Sequence, residues 1–184
     1  MKAVKIKTFF LICLLSSFNL LLEFSFGSNG EKAKTNLSTH IKGITVVAPP
    51  KAIGAPAFQR LKEINAEWVS FVPYGFTKKG STDIRYNLDR QWWGEKTEGL
   101  ETCIIEAKKQ GIKVMVKPQV FMGNGWIGEM DFETEEKWKT WEINYKRFLM
   151  EYLAVAIKQD VEMFCIGTEL NIAMVKREIF WREL

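Results

Sequence analysis

The sequence predicts an α/β fold built from parallel strands, and three observations support this prediction. Segments typical of strands alternate with segments typical of helices four times between residues 42 and 184. Four β/α units in a row favour parallel strands joined by right-handed crossovers. The strand-to-helix connections at 73–96 and 117–133 are long, whereas the helix-to-strand connections are short. Long loops at one end only are typical of a TIM-type (β/α) barrel, whose site lies at the carboxyl ends of its strands.

The chain contains only the first four β/α units of such a barrel. A closed barrel has eight strands in typically about 250 residues, whereas the whole sequence has 184 residues. We therefore interpret residues 41–184 as the amino-terminal half of a (β/α)8 domain. A doubly wound sheet is the alternative fold, but no G-x-G-x-x-G segment follows the first strand and no Walker A sequence occurs.

Each predicted strand is a short apolar segment that stops at or near a proline or glycine. The four strands cover residues 42–48, 68–72, 112–116 and 162–166. The residues that close them are Pro49, Pro73, Pro118 and Gly167. Short apolar runs rich in β-branched residues and bounded in this way predict buried strands.

Each strand is followed by a segment with apolar residues at helical spacing. These segments cover residues 56–65, 97–110, 134–158 and 172–184. The second is the best marked, since Lys108 and Lys109 lie in its last turn and Gly111 follows it. The third carries a stripe of aromatic residues, which we interpret as core packing against the sheet rather than as a ligand site.

The first 27 residues predict a secretory signal peptide. A lysine-rich segment at 2–7 precedes an apolar stretch at 9–22, and Ser25 and Gly27 are small residues suited to cleavage. A membrane anchor is the alternative, but a spanning helix needs about 20 apolar residues. Residues 28–40 are polar and predict a linker. We therefore expect a secreted or periplasmic protein, outside the cytoplasm, without stable membrane insertion after signal cleavage.

Composition excludes several classes of function. The net charge is a modest +4, and no stripe of basic residues interleaved with aromatics predicts nucleic-acid binding. His40 is the only histidine and lies in the linker, so a Ser-His-Asp triad is excluded. Cys103 and Cys165 lie in apolar surroundings that suit buried thiols. Without a Cys/His cluster we expect no metal site, and no cofactor is expected.

Glu169 is the candidate catalytic residue. The segment 161–170, with the sequence VEMFCIGTEL, is an apolar strand that ends at Gly167 and places Glu169 just beyond it. Parallel α/β proteins gather their chemistry at the carboxyl ends of the strands. A glutamate there, beside aromatic residues, is the expected form of a general acid for sugar chemistry. The alternative is a surface glutamate that opens the next helix, where an acid suits the helix dipole.

The long loops contain three tryptophans that are candidates for substrate binding. They are Trp92, Trp93 and Trp126. Apolar faces of sugars stack on indole rings, and the ring nitrogen donates a hydrogen bond. The alternative is that the rings pack on the barrel rim. Because adjacent side chains seldom face the same way, we expect one of Trp92 and Trp93 to pack on the barrel.

Polar residues beside the strand ends are further candidates. Lys117 and Gln119 flank Pro118, and strand alternation directs both to one face, so either both reach the site or neither does. Tyr74, just past the second strand, is a candidate of the same kind. Glu95 follows the tryptophans and is a candidate contact to sugar hydroxyls, but we expect it to be a solvated loop carboxylate.

Five short strings carry a resemblance to a known family. In order along the chain they are KGIT at 42–45, QWWGE at 91–95, VMVKPQVF at 114–121, GWIG at 125–128 and FCIGTEL at 164–170. Together they resemble the amino-terminal half of glycoside hydrolase family 113, which contains (β/α)8 β-1,4-mannanases. The resemblance covers residues 42–184.

The resemblance implies a retaining hydrolase that acts on mannan-type polysaccharide or oligosaccharide. It implies an acid/base glutamate at the end of strand four, which Glu169 matches, and a nucleophile at the end of strand seven, which has no counterpart among these 184 residues. In the wider clan an asparagine often precedes the acid/base. Here Thr168 stands in that place and becomes a candidate contact to a sugar hydroxyl.

The chemistry of a retaining glycosidase limits what this chain can do alone. Two carboxyl groups about 5–5.5 Å apart are required, so we expect the 184-residue chain alone to be inactive. A general acid that is protonated near neutral pH requires a buried environment, so Glu169 could serve as the acid if burial raises its pKa. The alternative function is a non-catalytic carbohydrate-binding or scaffold protein, derived from a barrel hydrolase, that keeps the cleft aromatics without the chemistry.

Overall fold

The computed structural model describes residues 40–184. The predicted signal peptide and, apart from His40, the predicted linker lie outside the described residues. The strands are β1 (Gly43–Val46), β2 (Trp68–Phe71), β3 (Tyr74–Lys78), β4 (Lys113–Val116), β5 (Gln119–Gly123) and β6 (Met163–Phe164). The helices are α1 (Ala55–Glu63), α2 (Thr97–Lys109), α3 (Glu135–Lys158), α4 (Asn171–Lys176) and α5 (Glu178–Glu183). Short 3-10 turns cover Trp93–Glu95 and Ile127–Glu129.

Four of the strands form a single parallel sheet in the order β1-β2-β4-β6. Its register sets Thr45 beside Ser70, Ser70 beside Met115, and Met115 beside Met163. The helices α1, α2 and α3 each lie between consecutive strands of this sheet in sequence. The predicted α/β fold with parallel strands in sequence order is therefore confirmed.

The hydrophobic core lies between one face of the sheet and the helices. On that face Val69, Val114 and Val116 are fully buried. The aromatic stripe of α3 belongs to the same core, as the sequence predicts, with Trp138, Trp141, Tyr145, Phe148 and Tyr152 all buried. No helix within residues 40–184, the long α3 included, is extensive and apolar enough to cross a membrane.

The second and third strands end before Pro73 and Pro118, as predicted, but each proline is followed by a further strand that the sequence interpretation did not include. Past Pro73 the chain continues as β3, and past Pro118 it continues as β5, and these two segments pair in parallel. The carbonyl of Phe71 accepts a hydrogen bond from the Lys117 N–H at 2.9 Å, and that of Pro73 accepts one from the Gln119 N–H at 3.0 Å. The segments predicted as loops at 73–96 and 117–133 therefore begin as strands.

The strands β3 and β5 form a separate two-stranded sheet that keeps the register of β2 and β4. Phe71 pairs with Val116 below the prolines, and Tyr74 pairs with Gln119 above them, so the register does not slip. Pro73 has no N–H, which removes one ladder bond. The four-stranded sheet therefore stops at the prolines, and parallel pairing resumes directly beyond them.

Burial alternates along the whole of β4 and β5. Val114, Val116, Val120 and Met122 are buried against the helices. The alternate residues, from Met115 to Phe121, are more exposed and lie on the opposite face. We call this opposite face the inner face, because in a (β/α) barrel it lines the interior.

The end of the chain departs from the single predicted helix at 172–184. Two short helices, α4 and α5, meet at Arg177, whose φ of −121° and ψ of 41° are not helical. The Arg177 guanidinium donates to Glu135 at 2.7 Å and to Glu142 at 2.6 Å on α3. The break directs Trp181 onto Trp141 of the core, with ring centroids 6.5 Å apart. Periodicity alone carries no signal for such a break.

Candidate active site

Glu169 follows β6 in a segment that is tied to its neighbours by hydrogen bonds. The strand itself is shorter than predicted, but the Cys165 N–H still donates to the Val116 carbonyl at 2.9 Å. The Tyr145 hydroxyl then donates to the Ile166 carbonyl at 3.0 Å. These bonds replace the sheet ladder as the chain turns away from the strand, and they fix the backbone that leads to Glu169.

The backbone of Glu169 adopts a left-handed conformation. Its φ is 61°, a region that is unfavourable for residues with a side chain and is found where the surroundings enforce it. Strain of this kind clusters at functional sites. The position of Glu169 is therefore set by its neighbours rather than by local preference.

Trp126 contacts the Glu169 carboxylate directly. The indole Nε1 donates a hydrogen bond to Glu169 Oε2 at 3.1 Å. Trp126 precedes the 3-10 turn Ile127–Glu129, which follows β5. This tryptophan and this glutamate are 43 residues apart in sequence, and the structure brings the two candidates together.

Gly128 makes the approach of these two residues possible. A Cβ atom at this position would lie 2.5 Å from the Trp126 ring and 2.8 Å from the Glu169 carbonyl oxygen. Contacts below 3.0 Å force something to move, so a larger residue would push the ring or the backbone away. Sequence reasoning used the GWIG string but did not assign this role to its second glycine.

Glu169 is exposed, so the described residues alone do not provide the burial on which the general-acid interpretation depends. It lies just beyond β6, and β6 is the edge strand of the four-stranded sheet. An edge residue has a neighbour on one side only, here Trp126. Thr168, immediately before it, is half-buried.

Lys117, Gln119 and Tyr74 lie together on the inner face. All three are half-buried, and Tyr74 is the register partner of Gln119. The structure thus places Lys117 and Gln119 on one face, as alternation predicts. Burial raises the pKa of the Tyr74 phenol, and the carboxylates of Glu95 and Glu169 raise it further. Tyr74 therefore lies within electrostatic reach of two carboxylates at this end of the sheet.

Glu95 is buried, so its interpretation as a solvated loop carboxylate is wrong. Only 8% of the residue is exposed. The turn Trp93–Glu95 is held from two sides, because the Gly94 N–H donates to the Pro49 carbonyl at 2.9 Å and the Tyr152 hydroxyl donates to the Glu95 carbonyl at 3.0 Å. Burial raises the pKa of the Glu95 carboxyl, and a hydrogen bond with Gln91 partly opposes this rise.

Gln91 links this turn to Tyr74. Its Nε2 donates to the Tyr74 carbonyl at 2.6 Å, and its Oε1 accepts from the Leu88 N–H at 3.2 Å. Sequence reasoning missed Gln91 as part of the site. The signal that could have found it is the QWWGE string, in which Gln91 was given no role.

Comparison with known proteins agrees with this geometry. The family model for Glycoside Hydrolase Family 113 matches residues 51–184. The chain belongs to glycoside hydrolase family 113. The matched residues include every element of the site described above except the supporting Pro49.

Solved structures of family 113 mannanases are similar to this chain. One is a GH113 β-mannanase, AaManA from Alicyclobacillus acidocaldarius, in complex with ManMIm, at 28% identity and a TM-score of 0.68, with 78% of this chain and 49% of that chain covered. Another is a GH113 β-1,4-mannanase complex at 27% identity and a TM-score of 0.65, with 78% and 50% covered. The chain therefore spans about half the length of these structures. A search of the curated proteins found no match.

The two adjacent tryptophans of this family 113 chain separate as expected. Trp92 is 48% exposed, whereas Trp93 packs against the core. A Cβ on Gly99 of α2 would lie 1.9 Å from the Trp93 carbonyl oxygen and 2.9 Å from its ring. Trp92 is thus available to a ligand at the rim, and Trp93 fixes the loop to α2.

Neither cysteine in the described residues contributes to the site. Both are free thiols, and Cys103 is buried. Burial raises the pKa of the Cys103 thiol to about 11, so it stays protonated and unreactive at neutral pH. Within residues 40–184, no group of three or more His, Cys, Asp or Glu side chains is arranged to hold a metal ion.

Proposed function

We propose that this protein is a retaining glycoside hydrolase that acts on β-1,4-mannan-type polysaccharide, with Glu169 as its acid/base residue. The observation that carries the proposal is the hydrogen bond from Trp126 to Glu169 beyond the end of a parallel strand, in a chain that belongs to glycoside hydrolase family 113. Its solved relatives are β-mannanases. The polysaccharide substrate and the predicted signal peptide both favour action outside the cytoplasm.

The proposed reaction needs a second carboxyl group. Glu169 protonates the glycosidic oxygen as the bond to the anomeric carbon breaks, while a carboxylate on the opposite side attacks that carbon. Glu169, now ionised, takes a proton from water, and the water displaces the enzyme carboxylate. The nucleophile is expected at the end of a seventh strand, so the 184 residues alone are expected to be inactive.

Trp126 determines which oxygen of Glu169 carries the transferable proton. An indole N–H is a donor only, so Oε2, which accepts its hydrogen bond, is held as an acceptor. The proton of the acid form then belongs on Oε1. The hydrogen bond also limits rotation of the carboxyl group, which keeps Oε1 directed to one side.

The inner face supplies the polar contacts for sugar hydroxyls. Lys117 and Gln119 present donor groups beside the phenol of Tyr74, and the hydroxyl of Thr168 precedes Glu169. Trp92 and Trp126 are exposed indoles on which sugar faces can stack. Aromatic surface and a few placed polar groups are typical of ligand sites.

A non-catalytic carbohydrate-binding protein is the second candidate function. The exposed indoles of Trp92 and Trp126 favour it, because the stacking of sugar faces on them requires no transferable proton. The aromatic and polar groups of the inner face would serve such a protein equally well. The two candidates differ in the effect of removing the Glu169 proton.

The test is Glu169→Gln in the full-length protein. The amide keeps the shape and still accepts from Trp126 but has no transferable proton, and general acid–base catalysis contributes about 10²–10⁴-fold. Mannan hydrolysis should fall by that factor, while affinity for manno-oligosaccharides changes little. Substrates with activated leaving groups should lose less in the first step, and azide should partly restore turnover.

The matched control is Glu133→Gln, which neutralises an exposed carboxylate before α3. It should hydrolyse mannan at the parent rate. Parent-rate hydrolysis by Glu169→Gln would contradict the assignment. A parent that binds manno-oligosaccharides but hydrolyses none of them would favour the second candidate.

A further inference from the structure

The segment 167–169, which ends in the candidate acid/base residue, lies between two fixed points of the backbone. Before it, the Ile166 carbonyl accepts a hydrogen bond from the Tyr145 hydroxyl at 3.0 Å. After it, Leu170 is buried in the core, and its carbonyl accepts from the Met174 N–H at 2.8 Å at the start of α4. This three-residue segment is therefore held at both ends.

Tyr145 is itself held in place by aromatic packing. It is almost fully buried. Its ring stacks on that of Trp141, with centroids 4.8 Å apart at an interplanar angle of 21°, and meets the ring of Trp181 edge-on at 5.6 Å and 70°. Burial raises the pKa of the Tyr145 phenol, so the hydroxyl keeps its proton at neutral pH. The Ile166 carbonyl thus has a donor that is fixed in position and always protonated.

Trp181 restricts the same stretch of backbone a second time. A Cβ on Gly167 would lie 3.1 Å from the Trp181 ring. The indole Nε1 of Trp181 donates to the Ala173 carbonyl at 3.0 Å, which ties the ring to α4. The ring that packs against Tyr145 therefore also limits the space at Gly167, and the backbone that leads to Glu169 has little room to change its path.

The left-handed backbone of Glu169 needs such restraints. A residue with a side chain stays at a φ of 61° only where its surroundings enforce that conformation. The Tyr145 hydrogen bond acts three residues before Glu169. Without it the Ile166 carbonyl can rotate and the strain can relax, which would turn the carboxyl group away from its present position beside Trp126.

We propose that Tyr145 is a positioning residue, whose hydroxyl holds the backbone before Glu169 so that the carboxyl group stays directed at the glycosidic oxygen. The proposal rests on the proposed function. Tyr145 acts through the backbone and is not a catalytic residue. Tyr145, Trp141 and Trp181 belong to the hydrophobic core or pack against it, so their arrangement does not depend on what covers the inner face.

The test compares two tyrosines of α3 in the full-length protein. Tyr145→Phe keeps the ring and removes the O–H that bonds to Ile166. Tyr152→Phe is the matched control, because Tyr152 is also fully buried and its hydroxyl donates to a loop carbonyl, that of Glu95, at the same 3.0 Å. Each variant loses one buried hydrogen bond, so the melting temperatures of both should fall by similar amounts.

Leaving-group dependence separates a misplaced acid from a general loss of folded enzyme. The ratio kcat/KM reports the first bond-breaking step, in which a manno-oligosaccharide needs the Glu169 proton and a dinitrophenyl β-mannobioside does not. A misplacement of about 1 Å can cost about 100-fold in rate, so the smaller shift in Tyr145→Phe should lower kcat/KM about tenfold for the oligosaccharide and less than about twofold for the aryl substrate. Tyr152→Phe should change both substrates by the same factor.

A double-mutant cycle tests whether Tyr145 acts through the Glu169 proton. Residues that act as a unit are not additive, so adding Tyr145→Phe to Glu169→Gln should lower oligosaccharide hydrolysis by less than about twofold further. Gly167→Ala disturbs the same backbone through the Trp181 ring. It should show the same leaving-group dependence to a smaller extent, and it decides the question if Tyr145→Phe does not fold.

Two results would overturn the inference. Equal losses on the two substrates, as in Tyr152→Phe, would mean that the Tyr145 hydroxyl only stabilises the fold. Parent values of kcat/KM on both substrates would mean that the hydrogen bond to Ile166 has no effect on the acid. In either case the proposed function stands if Glu169→Gln is impaired. Parent-rate hydrolysis by Glu169→Gln would instead remove the proposed function and this inference with it.

Discussion

Two glutamates near Tyr74 differ in almost every physical respect. Glu95 is buried and belongs to a turn fixed by Pro49 and Tyr152, whereas Glu169 is exposed and has Trp126 as its hydrogen-bond partner. Glu95 has an ordinary turn backbone, whereas Glu169 is left-handed with φ 61°. Both carboxylates raise the pKa of the Tyr74 phenol. One end of the sheet therefore holds a buried carboxyl group, that of Glu95, and an exposed one, that of Glu169.

The different surroundings of Glu95 and Glu169 indicate different roles, one structural and one chemical. Burial holds Glu95 in place and leaves it only Gln91 as a side-chain partner. Glu169 is instead positioned by a strained backbone and by one indole, and its other oxygen remains free for a substrate. We infer that Glu169 acts on the substrate and that Glu95 stabilises the loop that is bonded to Tyr74 through Gln91.

After Glu169→Gln, the largest loss of mannan hydrolysis is expected from Gly128→Ala. The added methyl group would lie 2.5 Å from the Trp126 ring and 2.8 Å from the Glu169 backbone oxygen. A misplacement of about 1 Å at a reacting group can cost about 100-fold in rate. Mannan hydrolysis should fall about 10- to 100-fold, as measured by reducing-sugar release.

Gly54→Ala is the matched control for this variant. The nearest atom to a Cβ at Gly54 is Pro56 Cδ at 3.7 Å, an ordinary contact. This variant should keep at least most of the parent rate. If Gly128→Ala were equally active, close packing of Trp126 on the Glu169 segment would not matter for catalysis.

A smaller effect is expected from Trp126→Phe. The ring stays aromatic, but the N–H that donates to Glu169 Oε2 is lost, and a hydrogen bond of this kind is worth about 1.4 kcal/mol or tenfold. The loss should appear mainly in kcat. Trp92→Phe also loses an indole N–H, but within residues 40–184 the indole that bonds to Glu169 is that of Trp126, so the Trp92 variant should change KM more than kcat. Equal effects of the two substitutions on kcat would argue against a positioning role for Trp126.

Local patterns along the sequence were sufficient to predict the sheet, the main helices and the placement of Glu169. The apolar run at 162–166 and the glycine after it already indicate a strand end, and such signals depend only on neighbouring residues. The direction of Lys117 and Gln119 also follows from strand alternation. These features do not depend on what packs against them.

The features that sequence reasoning missed depend on distant partners. Strand pairing resumes past Pro73 because Gln119 lies in register with Tyr74, and no signal near residue 73 indicates this. Glu95 is enclosed with the help of Tyr152, which is 57 residues away. A charged residue in a polar loop looks solvated until the elements that cover it are known.

The smallest effect on activity, and the sharpest test of the comparison, is expected from Glu95→Gln. Burial raises the pKa of Glu95 in the folded state above its ordinary value of 4.5, so the native carboxyl keeps its proton to a higher pH than the unfolded one. Stability from this group is therefore lost as the pH rises from the unfolded pKa through the folded one. The uncharged amide of Glu95→Gln avoids this loss of stability and can still accept a hydrogen bond from Gln91.

The Glu95→Gln variant should melt at a higher temperature than the parent at pH 7, and the difference should disappear below about pH 4, where both carboxyl forms are protonated. Calorimetric melts across this pH range measure it, with Glu133→Gln as the exposed control that shows no such trend. Activity should stay near the parent level if Glu95 only supports Tyr74. A large fall in kcat with an unchanged melting temperature would instead place Glu95 among the reacting groups and remove the distinction between the two carboxylates.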